Sequence, residues 1–167
     1  SSSRGLGDVY KRQIKISKDT IRIYNIHLES FSFEKEIELS ELNKNNEKIM
    51  NDLSKTFIIQ QKQVELIKKS IKKSPYKVIL SGDFNNTAFS YIYKELSRDF
   101  NDSFKEKGNG FGITFNYNFI PLRIDFILSD KVFKINKFKT YNINFSDHEP
   151  IFSQFTLSLI HISEPTR

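Results

Sequence analysis

Residues 20–28, TIRIYNIHL, form a β-branched run that places Ile21, Ile23 and either Tyr24 or Ile26 inward. That pattern predicts a buried strand ending at His27. Residues 14–17 suit a hairpin partner, with Lys18-Asp19 as the turn. Residues 31–46 are acidic and irregular, which suits a loop or a short helix. Met50, Leu53, Phe57, Val64, Ile67 and Ile71 then recur at helical spacing, with Gln60 filling the one polar gap in the stripe. The spacing predicts an amphipathic helix of about six turns, closed by Ser74-Pro75. Its opposite face carries Lys62, Lys68, Lys69 and Lys72, read as a solvated surface behind a core-packing stripe.

Residues 77–80, KVIL, make a short apolar strand of the kind found at the centre of a sheet. A helix is expected over 88–97, and Gly108, Gly110 and Gly112 mark a loop. Strands are expected over 113–116, 122–128, 131–141 and 151–155. The order is mixed α/β with antiparallel strands towards the end.

The composition narrows the chemistry. Of 167 residues, 38% are hydrophobic, as in a globular domain, and no apolar run is long enough to cross a bilayer as a helix. Cysteine is absent, which excludes disulfides, thiolate zinc sites and cysteine nucleophiles. The net charge of +6 fits a polyanionic partner only weakly. The ends read unlike the middle. Residues 3–13, SRGLGDVYKRQ, and 157–167, LSLIHISEPTR, can be encoded codon for codon by two reverse-complementary strands. Both resemble translations of a transposon-based sequencing adapter. The expected organisation is therefore a non-native tail over 1–13, a natural segment over 14–156 and a second non-native tail over 157–167. Setting aside the four basic and two acidic residues of the tails lowers the net charge to +4 and leaves two histidines, His27 and His148.

Both histidines stand in short polar motifs at predicted strand ends. The motifs are Asn25-Ile26-His27-Leu28-Glu29, Gly82-Asp83-Phe84-Asn85, Arg123-Ile124-Asp125-Phe126-Ile127 and Ser146-Asp147-His148-Glu149-Pro150. Each alone is weak, since a Gly-Asp pair is most often a turn and a lone histidine is more often structural than catalytic. Taken together and in this order, they resemble the C-terminal half of the endonuclease/exonuclease/phosphatase family, whose members include pancreatic deoxyribonuclease I, abasic-site endonucleases, neutral sphingomyelinases and inositol polyphosphate 5-phosphatases.

The resemblance implies part of a four-layer α/β sandwich (DNase I-like), with a mainly antiparallel mixed sheet under covering helices and the N-terminal half missing. It implies a phosphoesterase dependent on Mg2+ or Mn2+, acting on nucleic acid, phospholipid or inositol phosphate, with no obligate protein partner indicated. Residue by residue, His148 matches the histidine that contacts the scissile phosphate or supports water activation, and Asp125 the carboxylate that orients it. Asp83 matches the aspartate that activates or positions the water, and Asn85 its companion amide to the phosphate. His27 matches a second histidine that donates to a phosphate oxygen, and Asp147 a contributor to the metal shell. The family's principal metal ligand, a glutamate in the N-terminal half, has no counterpart here. Glu29 does not occupy its position, so the fragment is expected to be inactive as it stands. Glu149 occupies a variable position and is expected to contact solvent.

Two features stay open. Arg123 can pair with phosphate or with a neighbouring carboxylate. The aromatic-rich stretch 111–123 can stack bases or insert into lipid, but a packed loop and edge strand is the favoured reading. The alternative for the whole chain is a non-catalytic, basic nucleic-acid-binding module. It has no need for Asp83, Asn85, Asp125 and His148 together.

Overall fold

A computed structural model describes residues 8–31, 46–117, 120–143 and 145–157, and among these the chain forms nine strands and three helices. In chain order they are β1 (Asp8–Ile16), β2 (Asp19–His27), α1 (Asn46–Lys72), β3 (Lys77–Asp83), α2 (Tyr91–Ser97), β4 (Phe100–Asp102), α3 (Ser103–Lys107), β5 (Phe115–Tyr117), β6 (Ile120–Leu122), β7 (Asp125–Asp130), β8 (Phe133–Thr140) and β9 (Ile151–Leu157).

Five strands make the main sheet in the order β1-β2-β3-β7-β4, with the apolar strand β3 at its centre. β1 and β2 form an antiparallel hairpin that turns at Ser17, one residue before the expected turn. β2 and β3 run parallel, joined by the crossover that contains α1, as a parallel pair requires. β3 and β7 are antiparallel. Residues 8–13, read from the sequence as a non-native tail, extend β1 along β2. The pairing there is a main-chain ladder, which any residue with an N–H can join.

Period-two alternation divides the sheet into two faces. Tyr24, Ile26, Leu28, Val78, Leu80, Phe126 and Leu128 point to one side. There they bury against Val64 and Ile67 of α1 and Ile92, Tyr93 and Leu96 of α2. Ile21 and Ile79 point to the other side and pack on Phe133, with Phe155 and Leu157 beside it. β8 and β9 form a separate antiparallel pair on that second face. The layers are helices, sheet and strands, a mixed α/β arrangement with mainly antiparallel pairing, as expected of part of the sandwich.

The differences from the expected elements have local causes. The strand expected over 122–128 is two strands, because the Ile124 and Asp125 amides both turn onto the Thr114 hydroxyl. The helix expected from 88 starts at Tyr91, where the Ser90 side chain caps it by accepting from the Tyr93 amide. β4 and α3 were not expected, and Asp102 caps α3 by accepting from Phe104 and Lys105. The α1 stripe is buried only in its second half: Val64 and Ile67 are covered, whereas Met50 and Phe57 are exposed. Most of the stretch expected as a loop or short helix, 32–45, lies outside the described residues.

Candidate active site

Strand register assembles the site. His27 of β2 pairs with Asp83 of β3, and Asp83 pairs with Asp125 of β7. Three adjacent strand ends therefore carry a histidine and two aspartates side by side. By alternation they share the face of Ile21 and Ile79, away from the helices. Like charges directly opposite on neighbouring strands are unfavourable, so this pair costs stability unless a partner offsets it. Gly82 makes the approach possible. Its φ is 132°, and a Cβ there would overlap the Ile26 carbonyl.

His148 reaches the cluster from the β8–β9 connection. Its Nδ1 lies 2.9 Å from Asp125 Oδ2, and its Nε2 lies 3.9 Å from Asp83 Oδ2. The first distance is a hydrogen bond that sets Nδ1 as the protonated nitrogen whenever the ring is neutral. The second is too long for one and leaves room for a ligand oxygen between the two groups. His27 Nε2 stands 3.6 Å from the same Asp83 oxygen and is 57% exposed. The other Asp83 oxygen accepts the Asn85 amide at 2.7 Å. Asn85 itself takes a left-handed φ of 47°, a conformation asparagine tolerates better than most residues. Its side-chain nitrogen donates to the Leu28 carbonyl at 2.8 Å, which leaves its second hydrogen for a ligand.

Burial pushes the Asp83 carboxyl above its usual range, and the Asp125 charge adds to the rise. The Asn85 amide, His148 and His27 pull against it. Ligand atoms of Asp83, Asp125 and His148 all lie within 4.8 Å of one another. An oxygen-rich donor set around a carboxylate that resists ionisation fits a hard divalent cation. Asp83 Oδ1 is taken by the Asn85 amide and Asp125 Oδ2 by His148, so each carboxylate can turn its other oxygen towards such an ion.

Other expected site residues are placed differently. Asp147 is exposed and accepts from the Ser146 hydroxyl; it is not one of the three groups drawn together. Arg123 turns its guanidinium into the protein. It pairs with Asp102 at 3.0 Å, with side chains 10% and 3% exposed, and stacks on the Phe104 and Phe126 rings. Of the two partners open to Arg123, the carboxylate wins because Asp102 is buried and needs a counter-charge. Glu149, half-buried, also has protein partners: its carboxylate accepts the Ile143 amide at the surface, and its own amide donates to the Thr114 carbonyl. In the aromatic-rich stretch, the Phe115 ring lies 4.7 Å from the His148 ring, while Phe111 is 89% exposed.

Sequence reasoning missed a buried polar network behind the site. Gln60 donates to the Glu29 carbonyl at 2.6 Å and accepts from Asn86 at 2.9 Å. Gln63 accepts the Glu29 amide at 3.0 Å. Both glutamines are fully buried, and they fasten the chain just beyond His27 to α1 and to the turn after Asp83. The polar gap in the α1 stripe was the signal: a polar residue on a core face needs a partner there.

A sequence profile described as "Endonuclease/Exonuclease/phosphatase family" matches residues 53–148, more than half of the chain. The match includes Asp83, Asn85, Asp125 and His148. Comparison with curated proteins finds no match. Among solved structures, an endonuclease/exonuclease/phosphatase family protein from Bacteroides thetaiotaomicron is 18% identical with a TM-score of 0.59; the alignment covers 87% of this chain and 54% of that one. A mannosyl-6-phosphatase of Bacteroides thetaiotaomicron is 18% identical with a TM-score of 0.56, covering 84% and 52%. A family protein from Leptotrichia buccalis is 23% identical with a TM-score of 0.55, covering 89% and 52%. The chain thus shares their fold and spans about half their length.

Proposed function

The chain belongs to the endonuclease/exonuclease/phosphatase family, and on that premise we propose that the complete protein is a divalent-metal phosphoesterase whose reacting groups gather at Asp83, Asp125 and His148. The observation that carries the reading is the Asp125–His148 hydrogen bond set opposite a half-buried Asp83, whose Oδ2 stands 3.9 Å from His148 Nε2. A structural histidine would need the first partner but not the second.

In this reading Asp125 holds the His148 ring by Nδ1, so that Nε2 meets the phosphate. When protonated, His148 donates from Nε2 to a phosphoryl oxygen and offsets charge that grows in the transition state. Asp83 takes a proton from the attacking water. A P–O bond to the water oxygen forms, the ester P–O bond breaks, and the leaving oxygen takes a proton from solvent and departs as the alcohol. His27 and the remaining Asn85 hydrogen donate to other phosphoryl oxygens. A Mg2+ or Mn2+ ion facing Asp83 would supply charge neutralisation and a more acidic water. Asp147, exposed beside His148, would offer that ion a further carboxylate oxygen.

The substrate is a phosphate ester. Its class is set by loops and by the remainder of the complete protein rather than by these groups. The test is hydrolysis by the complete protein, with Mg2+, of DNA, sphingomyelin, inositol phosphates and sugar phosphates such as mannose 6-phosphate. Release of product from at least one, abolished by EDTA, is expected. Tight nucleic-acid binding with no hydrolysis of any would favour the binding-module reading.

A further inference from the structure

We propose that Thr114 is a positioning residue that holds Asp125 and His148 in register with each other. The inference rests on the reading of that pair as the phosphate-facing machinery, and it concerns how the pair is held. Thr114 is fully buried and uses both its side chain and its main chain. Its hydroxyl oxygen accepts two consecutive amides, Ile124 and Asp125, each at 3.1 Å. Its own amide donates to the Leu122 carbonyl at 2.9 Å. Its carbonyl accepts the amide of Glu149, the neighbour of His148, at 2.7 Å. The next residue, Phe115, bridges to the His148 backbone and lays its ring against the imidazole.

One residue thus contacts the backbone that carries the orienting carboxylate and the backbone that carries the oriented histidine. These segments are 23 positions apart in the chain; one opens β7 of the main sheet and the other lies in the β8–β9 connection. The hydroxyl occupies the break between β6 and β7, where two amides leave the strand ladder together. A hydroxyl oxygen has two acceptor lone pairs, and both are used. Valine has the same shape and offers neither. Thr114→Val would therefore leave two amides without an acceptor at the point where Asp125 enters its strand, and the carboxylate would drift relative to His148. Thr114→Ser keeps the oxygen and loses only a methyl group.

The test uses the 167-residue chain, 15N-labelled, by NMR. A proton held between an imidazole Nδ1 and a carboxylate resonates far downfield. That signal is expected in the wild type and absent in Asp125→Asn. The wild-type Ile124 and Asp125 amides are expected to be protected from exchange. Thr114→Val, with a dispersed amide spectrum, should lose the downfield signal and exchange those amides about tenfold faster or more, while Thr114→Ser retains both. A folded Thr114→Val with the signal at its wild-type position would overturn the proposal, as would a Thr114→Ser that behaves like Thr114→Val. Unprotected Ile124 and Asp125 amides in the wild type would overturn it even where Thr114→Val does not fold. A wild type without the downfield signal counts against the Asp125–His148 pair itself, and the proposal falls with it.

Discussion

Asp83 is the residue on which the chemistry and the stability of the site meet. Its carboxyl is held above its ordinary value of 3.8, chiefly by burial. Between that value and the raised one, the unfolded chain has lost a proton that the folded chain keeps. The unfolded state then binds fewer protons, and stability falls as pH rises through this window. At neutral pH an ionised Asp83 is a liability that a cation would relieve. Asp83→Asn, which keeps the oxygen that accepts from Asn85, should therefore melt higher than the wild type at pH 7 in EDTA, with no further gain from Mg2+. The wild type should gain from Mg2+. Thermal unfolding of both proteins checks this, and a less stable Asp83→Asn would count against the account. Arg123 makes the opposite case. Its partner Asp102 also accepts from Tyr93 and caps α3, so Arg123→Met strands a buried, shared charge. A loss of about 3–5 kcal/mol is expected in chemical denaturation. Unchanged stability would return Arg123 to the solvent or to a ligand. The motif residues Asp83, Asn85, Asp125 and His148 were legible as a set because four short motifs in that order carry the family resemblance. Thr114 and the Asp102 partner of Arg123 were not, because a buried group's partners lie far along the chain and leave no local pattern.

At the scale of elements, the site is a consequence of register. Shifting β2 or β7 by one residue against β3 would turn His27 or Asp125 to the helix face. The β2–β3 register is supported where the strands end: the Leu28 amide donates to the Asp83 carbonyl, Asn85 reaches the Leu28 carbonyl, and Gln60 and Gln63 hold Glu29. Gln60→Leu preserves the apolar stripe but takes the partner from the Glu29 carbonyl and from one Asn86 side-chain N–H, the other still donating to the Phe84 carbonyl. Each such group costs about 1–3 kcal/mol, so a stability loss on the order of 2 kcal/mol is expected, read by urea denaturation. A neutral result would mean that the network contributes nothing. The strand β2 and the helix α1 were legible because alternation and helical spacing run through them, and β3 because KVIL is a continuous apolar run. β4 and α3 were not, since Phe100–Asp102 and Ser103–Lys107 are too short to establish a period. Their stability comes from a cap and from pairing with β7 rather than from local pattern.

The whole molecule has one covered sheet face and one partly open. α1 and α2 close the first. On the second, the β8–β9 pair covers Ile21 and Ile79, while Tyr10, Ile14 and Ile16 of β1 remain exposed. The site lies on this second face, and the alignments span about half of the matched structures. The complete protein is therefore the proper object for activity. The mixed α/β class was legible from the order of elements and the layering from the family resemblance, but how far each face is covered was not, since coverage depends on contacts between distant segments. The most direct test of the central claim is the rate of phosphate-ester hydrolysis by the complete protein with Mg2+, for wild type and for His148→Ala with the same melting temperature. Hydrolysis that requires Mg2+ and falls about 10²-fold or more in His148→Ala is the predicted result. Equal rates in the two proteins would contradict it.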